Sequence, residues 1–174
     1  SNARTSLEAV NATVTATGGK VTGAASGYLA TEATAYGVQV GMANLTTGAA
    51  SFTVTAQGGT VSGSATSAEV RAGGVGAHGG TTAIGGDLAL TITAAGGTVA
   101  GSGELASAFA DAYGVYIENP GYDYPGSLTV NGTITGSVMA QGGTAKRASI
   151  DSIDSSYAPN SYGSAYGITN NGYT

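Results

Sequence analysis

The sequence predicts an all-β solenoid built from about four degenerate repeats, and three observations carry that prediction. Strand-like segments recur at a nearly fixed interval, paired glycines mark the same place in every copy, and small residues dominate, with 31 Gly and 31 Ala among 174 residues. A unit of about 40 residues cannot bury a face by itself, whereas copies stacked on one another share a continuous core.

The first strand of each unit is legible from alternation. Thr13-Val14-Thr15-Ala16-Thr17-Gly18-Gly19 returns as Thr53-Val54-Thr55-Ala56-Gln57-Gly58-Gly59 and as Thr91-Ile92-Thr93-Ala94-Ala95-Gly96-Gly97, with a weaker copy at Met139-Ala140-Gln141-Gly142-Gly143. In Phe52-Thr53-Val54-Thr55-Ala56 the apolar residues share one face and the threonines the other, as a half-buried strand requires. The paired glycines then supply a corner, where positive φ is expected. A second short strand follows, with Val21, Val61 and Val99 inward. The third contains Ala35-Tyr36-Gly37-Val38, Ala112-Tyr113-Gly114-Val115 and Ala165-Tyr166-Gly167-Ile168, while the second copy reads Ala72-Gly73-Gly74-Val75 and lacks the tyrosine. Glu104 to Tyr113 is alanine-rich and competes as a helix on propensity alone.

Two architectures fit this order: a hairpin meander, since Gly-Gly between alternating segments is a hairpin signal, and a solenoid. The repeating valines favour the solenoid. Val14, Val54, Ile92 and Val130 are expected to stack as one interior ladder, Val21, Val61 and Val99 as a second, and Val38, Val75, Val115 and Ile168 as a third. Whether one repeat makes one large coil or two small ones stays open at this level.

Composition excludes several functions. Five Lys and Arg against ten acids, a net charge of -5, leave no basic patch for nucleic acid. The absence of Cys removes thiolate metal sites, cysteine nucleophiles and disulfides. No apolar run reaches the roughly 20 residues of a transmembrane helix. Ser1, Asn2 and Ala3 read as the scar of a cleaved expression tag, and residues 4–174 as a single β-solenoid fragment of a larger protein. Strand edges at its two ends are expected to favour end-to-end self-association.

The Ala-Tyr-Gly-Val or Ile motif, the segment Asn131-Gly132-Thr133-Ile134-Thr135 and the cysteine-free Gly/Ala/Thr composition resemble passenger repeats of bacterial autotransporters and related surface β-helix proteins. That resemblance covers most of residues 10 to 172. It implies a right-handed parallel β-helix, displayed at the bacterial surface or secreted and attached to the outer membrane through other regions, acting as an adhesin or stalk. The partners it implies are glycans or proteins of a host or neighbouring cell.

Chemistry-bearing residues are few. The loop Pro120-Gly121-Tyr122-Asp123-Tyr124-Pro125-Gly126, preceded by Tyr116, is the expected contact loop, because aromatic rings with polar tips stack on sugars and anchor partners. Tyr157, Tyr162, Tyr166 and Tyr173 form a second cluster towards the end. His78, the one histidine, lies among glycines and reads as an exposed turn residue, since a metal site or nucleophile-base pair needs partners. Asp111, Glu118, Asp123, Asp151 and Asp154 are the acids a polysaccharide lyase or hydrolase would draw on, but no paired constellation is apparent, and a non-enzymatic role without catalytic residues, metal or cofactor is expected. Gly85-Gly86-Asp87 only superficially matches a calcium-binding repeat. Thr13/Thr15, Thr53/Thr55 and Thr91/Thr93 would form an outward array resembling an ice-binding face, with the fourth copy broken where Asn131 follows Thr129.

Overall fold

A computed structural model describes residues 4–22, 28–41, 43–63, 65–101, 106–118, 126–147 and 160–170. The contact-loop residues Tyr122, Asp123 and Tyr124 lie outside these, as do Tyr157, Tyr173, Asp151 and Asp154.

The chain winds as a right-handed parallel β-helix of four coils and three sheets. The first coil contains β1 (Arg4–Thr17), β2 (Lys20–Thr22) and β3 (Tyr28–Gly41). The second contains β4 (Asn44–Gln57), β5 (Thr60–Gly63) and β6 (Ala65–His78). In the third, the first strand is interrupted, giving β7 (Thr81–Ile84) and β8 (Leu88–Ala95), followed by β9 (Thr98–Gly101) and β10 (Ala106–Glu118). The fourth repeats that pattern as β11 (Ser127–Val130), β12 (Ile134–Gln141), β13 (Thr144–Arg147) and β14 (Asn160–Asn170). Sheet A stacks β1, β4, β7 with β8, and β11 with β12; sheet B stacks β2, β5, β9 and β13; sheet C stacks β3, β6, β10 and β14. Every pairing is parallel, which removes the hairpin meander. The alanine-rich segment that competed as a helix is strand from Ala106 onward.

Register settles the coil size. Val14 stands against Val54, Val54 against Ile92 and Ile92 against Val138. The steps are 40, 38 and 46 residues, so one repeat makes one large coil. This corrects the first ladder, because Val138 occupies the fourth rung and Val130 instead pairs with Ile84. The other two ladders form as expected, Val21-Val61-Val99 continuing to Ala145 and Val38-Val75-Val115 to Ile168.

Small and large residues complement one another across the core. Sheet C turns Ala35, Ala72 and Ala112 inward, all buried, and sheet A fills the space they leave with Phe52, Val54, Leu88, Leu90 and Ile92. Gly37 and Gly74 extend this: a Cβ on Gly37 would strike the Phe52 ring at 2.6 Å, and one on Gly74 would meet Leu90 at 2.6 Å. Close packing of this kind makes each inward position sensitive to a single methylene. Val61, Val99, Ala68 and Ala108 form a second cluster between sheets B and C.

The glycine corners stack in register, but not for the expected reason. Among the described residues, positive φ occurs at Gly79 and Gly136, and none of the paired corner glycines adopts it. Their constraint is close approach. A Cβ on Gly59, Gly97 or Gly143 would lie inside van der Waals contact with the carbonyl oxygen of Gly19, Gly59 or Gly97 on the preceding coil. Those same carbonyls accept hydrogen bonds from Thr60, Thr98 and Thr144 at 3.1, 2.9 and 2.9 Å.

A second corner interrupts sheet A. Thr47 pairs with Ile84 but Ala50 with Leu88, so the third coil carries one extra residue, a bulge. Asp87 sits in it and accepts a hydrogen bond from the Thr133 backbone N–H at 2.8 Å, bracing the equivalent corner of the fourth coil. The likeness to a calcium repeat ends there.

Candidate aromatic trough on sheet C

Strand alternation sends Thr34 and Tyr36 of β3, and the residues stacked on them, outward; at Gly37, Gly74 and Gly114 two successive residues face the core, so the next outward position comes three residues on, and in-register stacking turns the outward residues into columns. One column is Tyr36, Gly73, Tyr113 and Tyr166. A neighbouring one is Thr34, Arg71, Asp111 and Ser164; another is Gln39, Gly76 and Tyr116. The second coil therefore contributes glycine at two outward positions where the third contributes tyrosine. The result is an open trough of about 620 Å³, with β6 as floor, lined by Tyr36, Gln39 and Gly41 on one side, Tyr113 and Tyr116 on the other, and Arg71 and His78 along the floor.

The two glycines differ. Tyr36 leans across Gly73 so closely that a Cβ there would collide with its ring. Gly76 is also buried, but an added Cβ would meet the Gln39 side chain at 3.4 Å and the Val38 carbonyl oxygen and Gln39 Cα at 3.8 and 3.9 Å, all ordinary contacts. The wall beyond is aromatic. Tyr113 stacks on Tyr166 with centroids 5.2 Å apart and planes 9° from parallel, and packs against Tyr116 at 5.2 Å and 53°. Phe109 and Tyr162 meet at 4.4 Å on the same face. Tyr162 and Tyr166 remain 52% and 45% exposed, far more than rings used for core packing.

The described charges on this face are Arg71 and Glu69 on β6, Glu32 on β3 and Asp111 on β10, so acids outnumber bases. Arg71 pairs with Glu69 at 2.5 Å. Burial opposes the guanidinium charge, and Glu69 with the neighbouring phenols more than offsets it, so its pKa is raised. Burial also pushes the Asp111 carboxyl upward, with Arg71 and a hydrogen bond from Ser164 pulling the other way. Burial and the adjacent Asp111 push the Tyr113 phenol up to about 12, so it is a neutral hydrogen-bonding group at physiological pH.

Of the residues singled out in sequence, Tyr116 lies in the trough and Tyr162 and Tyr166 lie beside it. His78 is not an exposed turn residue: it ends β6, is partly buried and lines the floor. Asp111 and Glu118 share β10. Tyr36, Arg71 and Tyr113 were not anticipated as one site, although the missing tyrosine at Gly73 was a visible signal. Among the described residues no cluster of His, Cys, Asp and Glu could hold a metal ion, and no helix is long and apolar enough to cross a membrane.

The threonine pairs do form an in-register array on the outer face of sheet A, Thr13-Thr53-Thr91 beside Thr15-Thr55-Thr93. Its fourth rung is Ser137 and Met139, rather than Thr129 and Asn131.

The fold thus defines the class, a parallel β-solenoid scaffold with an aromatic outer face. Neither the protein-family models, nor the curated proteins, nor the solved structures yield a match to this chain.

Proposed function

We propose that this chain is a structural and adhesive segment of a bacterial cell-surface or secreted protein, as its resemblance to autotransporter passenger repeats implies. The solenoid is the rigid rod, and the outer face of sheet C is the surface that contacts a glycan or glycoprotein. One observation carries this reading: Phe109, Tyr113, Tyr116, Tyr162 and Tyr166 gather on a single solvent-facing sheet surface next to an open trough. Stacked rings at an exposed face are costly to leave wet and are the residues that anchor partners. On this reading the chain binds without turnover.

Replacing Tyr162 and Tyr166 together by alanine tests it, because both are on the last described strand and largely exposed. Retention on immobilised mucin-type glycoprotein and on a glycan array is expected to fall at least about tenfold, about 1.4 kcal/mol, with the far-UV spectrum unchanged. Undiminished retention refutes the reading.

A second reading is favoured by a separate observation, the threonine array. Hydroxyl and methyl groups repeat on a rigid sheet at the strand spacing of about 4.7–4.9 Å, a regularity that would template ordered water and hence ice. Thermal hysteresis of the purified chain measures this directly, and ordinary freezing ends it.

A further inference from the structure

We infer that the solenoid assembles head to tail: the fourth coil of one copy seats on the first coil of the next, in the register by which coils already stack inside one chain. The occupant of each end is a second copy of this chain, whatever the aromatic face binds.

Exposure is the first argument. Among the described residues, the exposed large hydrophobics Leu7, Ile134, Met139, Tyr162, Tyr166 and Ile168 all lie on the first or fourth coil. Three of them belong to inward columns. Leu7 continues the column of Thr47 and Ile84, Ile134 that of Ala50 and Leu88, and Ile168 that of Val75 and Val115. In the two middle coils those positions are at most 4% exposed, whereas Leu7, Ile134 and Ile168 are 45%, 42% and 63% exposed. The columns are sealed in the middle and open at both ends.

Complementarity is the second. Carried one coil further, the register sets Ile168 on Val38, Val138 on Val14, Ala145 on Val21, Ile134 on Val10 and Val130 on Leu7, apolar on apolar throughout. Val38 lines a hollow of about 270 Å³ with Thr5, Val40 and Leu45, and Ile168 is the exposed side chain brought to it. Arg4, Lys20 and Glu32 of the first coil meet Ser127, Thr144 and Tyr162, so no like charges face one another there. The described strands of both end coils also contain no proline, one of the devices that blunt a sheet edge.

Gly19 is the third. Its counterparts Gly59, Gly97 and Gly143 must be glycine because a Cβ would run into a carbonyl of the preceding coil. At Gly19 nothing lies within 4 Å of an added Cβ, and φ is outside the left-handed region. Neither packing within this chain nor backbone conformation demands a glycine there. A second copy stacked below supplies the demand through its Gly143 carbonyl. That carbonyl in turn would accept the Lys20 N–H, as those of Gly19, Gly59 and Gly97 accept the N–H groups of Thr60, Thr98 and Thr144. Such a heterologous contact does not close on itself, so the product is an open filament.

Sedimentation velocity and light scattering of the purified chain over a wide concentration range read the assembly, and oligomers that lengthen with concentration are expected. Gly19→Ala is expected to weaken association at least about tenfold, from overpacking and a lost hydrogen bond at the junction. The dilute variant is expected to melt no earlier than the parent, which separates lost assembly from lost fold. Ile168→Lys blocks the opposite end and is expected to weaken association similarly; if it melts earlier, Gly19→Ala alone decides. Mixed together, the two variants each keep one competent end and are expected to form a one-to-one dimer that grows no further. A monomer at every concentration overturns the inference. A parent that stops at a dimer, Gly19→Ala that assembles like the parent, or Ile168→Lys that still pairs with itself overturns the head-to-tail register.

Discussion

Gly97 and Gly19 occupy the same corner of different coils, yet alanine at the two positions is expected to move stability in opposite directions. A Cβ on Gly97 falls inside van der Waals contact with the Gly59 carbonyl oxygen and 3.0 Å from the Gly58 carbonyl carbon and the Gly59 nitrogen. All three are backbone atoms, so no side chain can rotate away. The same Gly59 carbonyl accepts the Thr98 N–H at 2.9 Å, and the ladder that follows carries the fully buried pair Val61 and Val99. Relief requires the coils to part locally. Loss of that hydrogen bond costs about 1 kcal/mol and overpacking of a close-packed region about 1–3 kcal/mol, giving a destabilisation of about 2–4 kcal/mol. At Gly19 nothing lies within 4 Å of the added atom and φ is outside the left-handed region. Alanine there mainly restricts the unfolded chain and is expected to stabilise by about 0.4–1 kcal/mol. Urea unfolding followed by far-UV circular dichroism, with midpoints compared at equal slope, reads both. Equal shifts in the two variants, or a Gly97→Ala shift within about 0.5 kcal/mol of the parent, would refute the argument from close approach.

Further outcomes follow from the same structure. Thr82 is fully buried opposite Leu45 and Leu128, and its hydroxyl has no hydrogen-bond partner among the described residues; Thr82→Val is expected to stabilise by about 1 kcal/mol in the same urea assay, and a loss of stability would show that the hydroxyl is satisfied. Asp111 binds its proton more tightly folded than unfolded, so its share of stability falls as pH rises from its ordinary value of 3.8 through its raised folded value. Asp111→Asn is expected to lack that decline, read as the difference between melting temperatures of variant and parent across pH 3 to 7; parallel curves would count against it.

Much of the fold was legible because its periodicity is written in the chain. Valines spaced by one coil announced two of the interior ladders, and Phe52, Val54 and Ala56 alternated with threonines as a half-buried strand must. The failures have specific causes. Val130 was placed where Val138 stands because the third coil is longer than the two before it, and an insertion shifts register without changing local alternation. Positive φ was assigned to the paired glycines from their type, although their real constraint is the carbonyl of the coil below, which no local pattern reveals. The site was less legible. Tyr116 was picked out, but the trough joins β3, β6 and β10, whose residues are about 40 positions apart and become neighbours only through stacking.

The sequence by itself determined that this protein is a repeat, that its strands carry one apolar and one polar face, and that a basic surface or thiol chemistry has no part in it, because composition and period-2 alternation are local properties. Tertiary structure decided the coil size, the partner of each valine and the gathering of Tyr36, Arg71, Tyr113 and Tyr116 around one trough. Those depend on interstrand register, which is set by packing between coils: a residue's neighbour across the ladder is chosen by how the preceding coil closes.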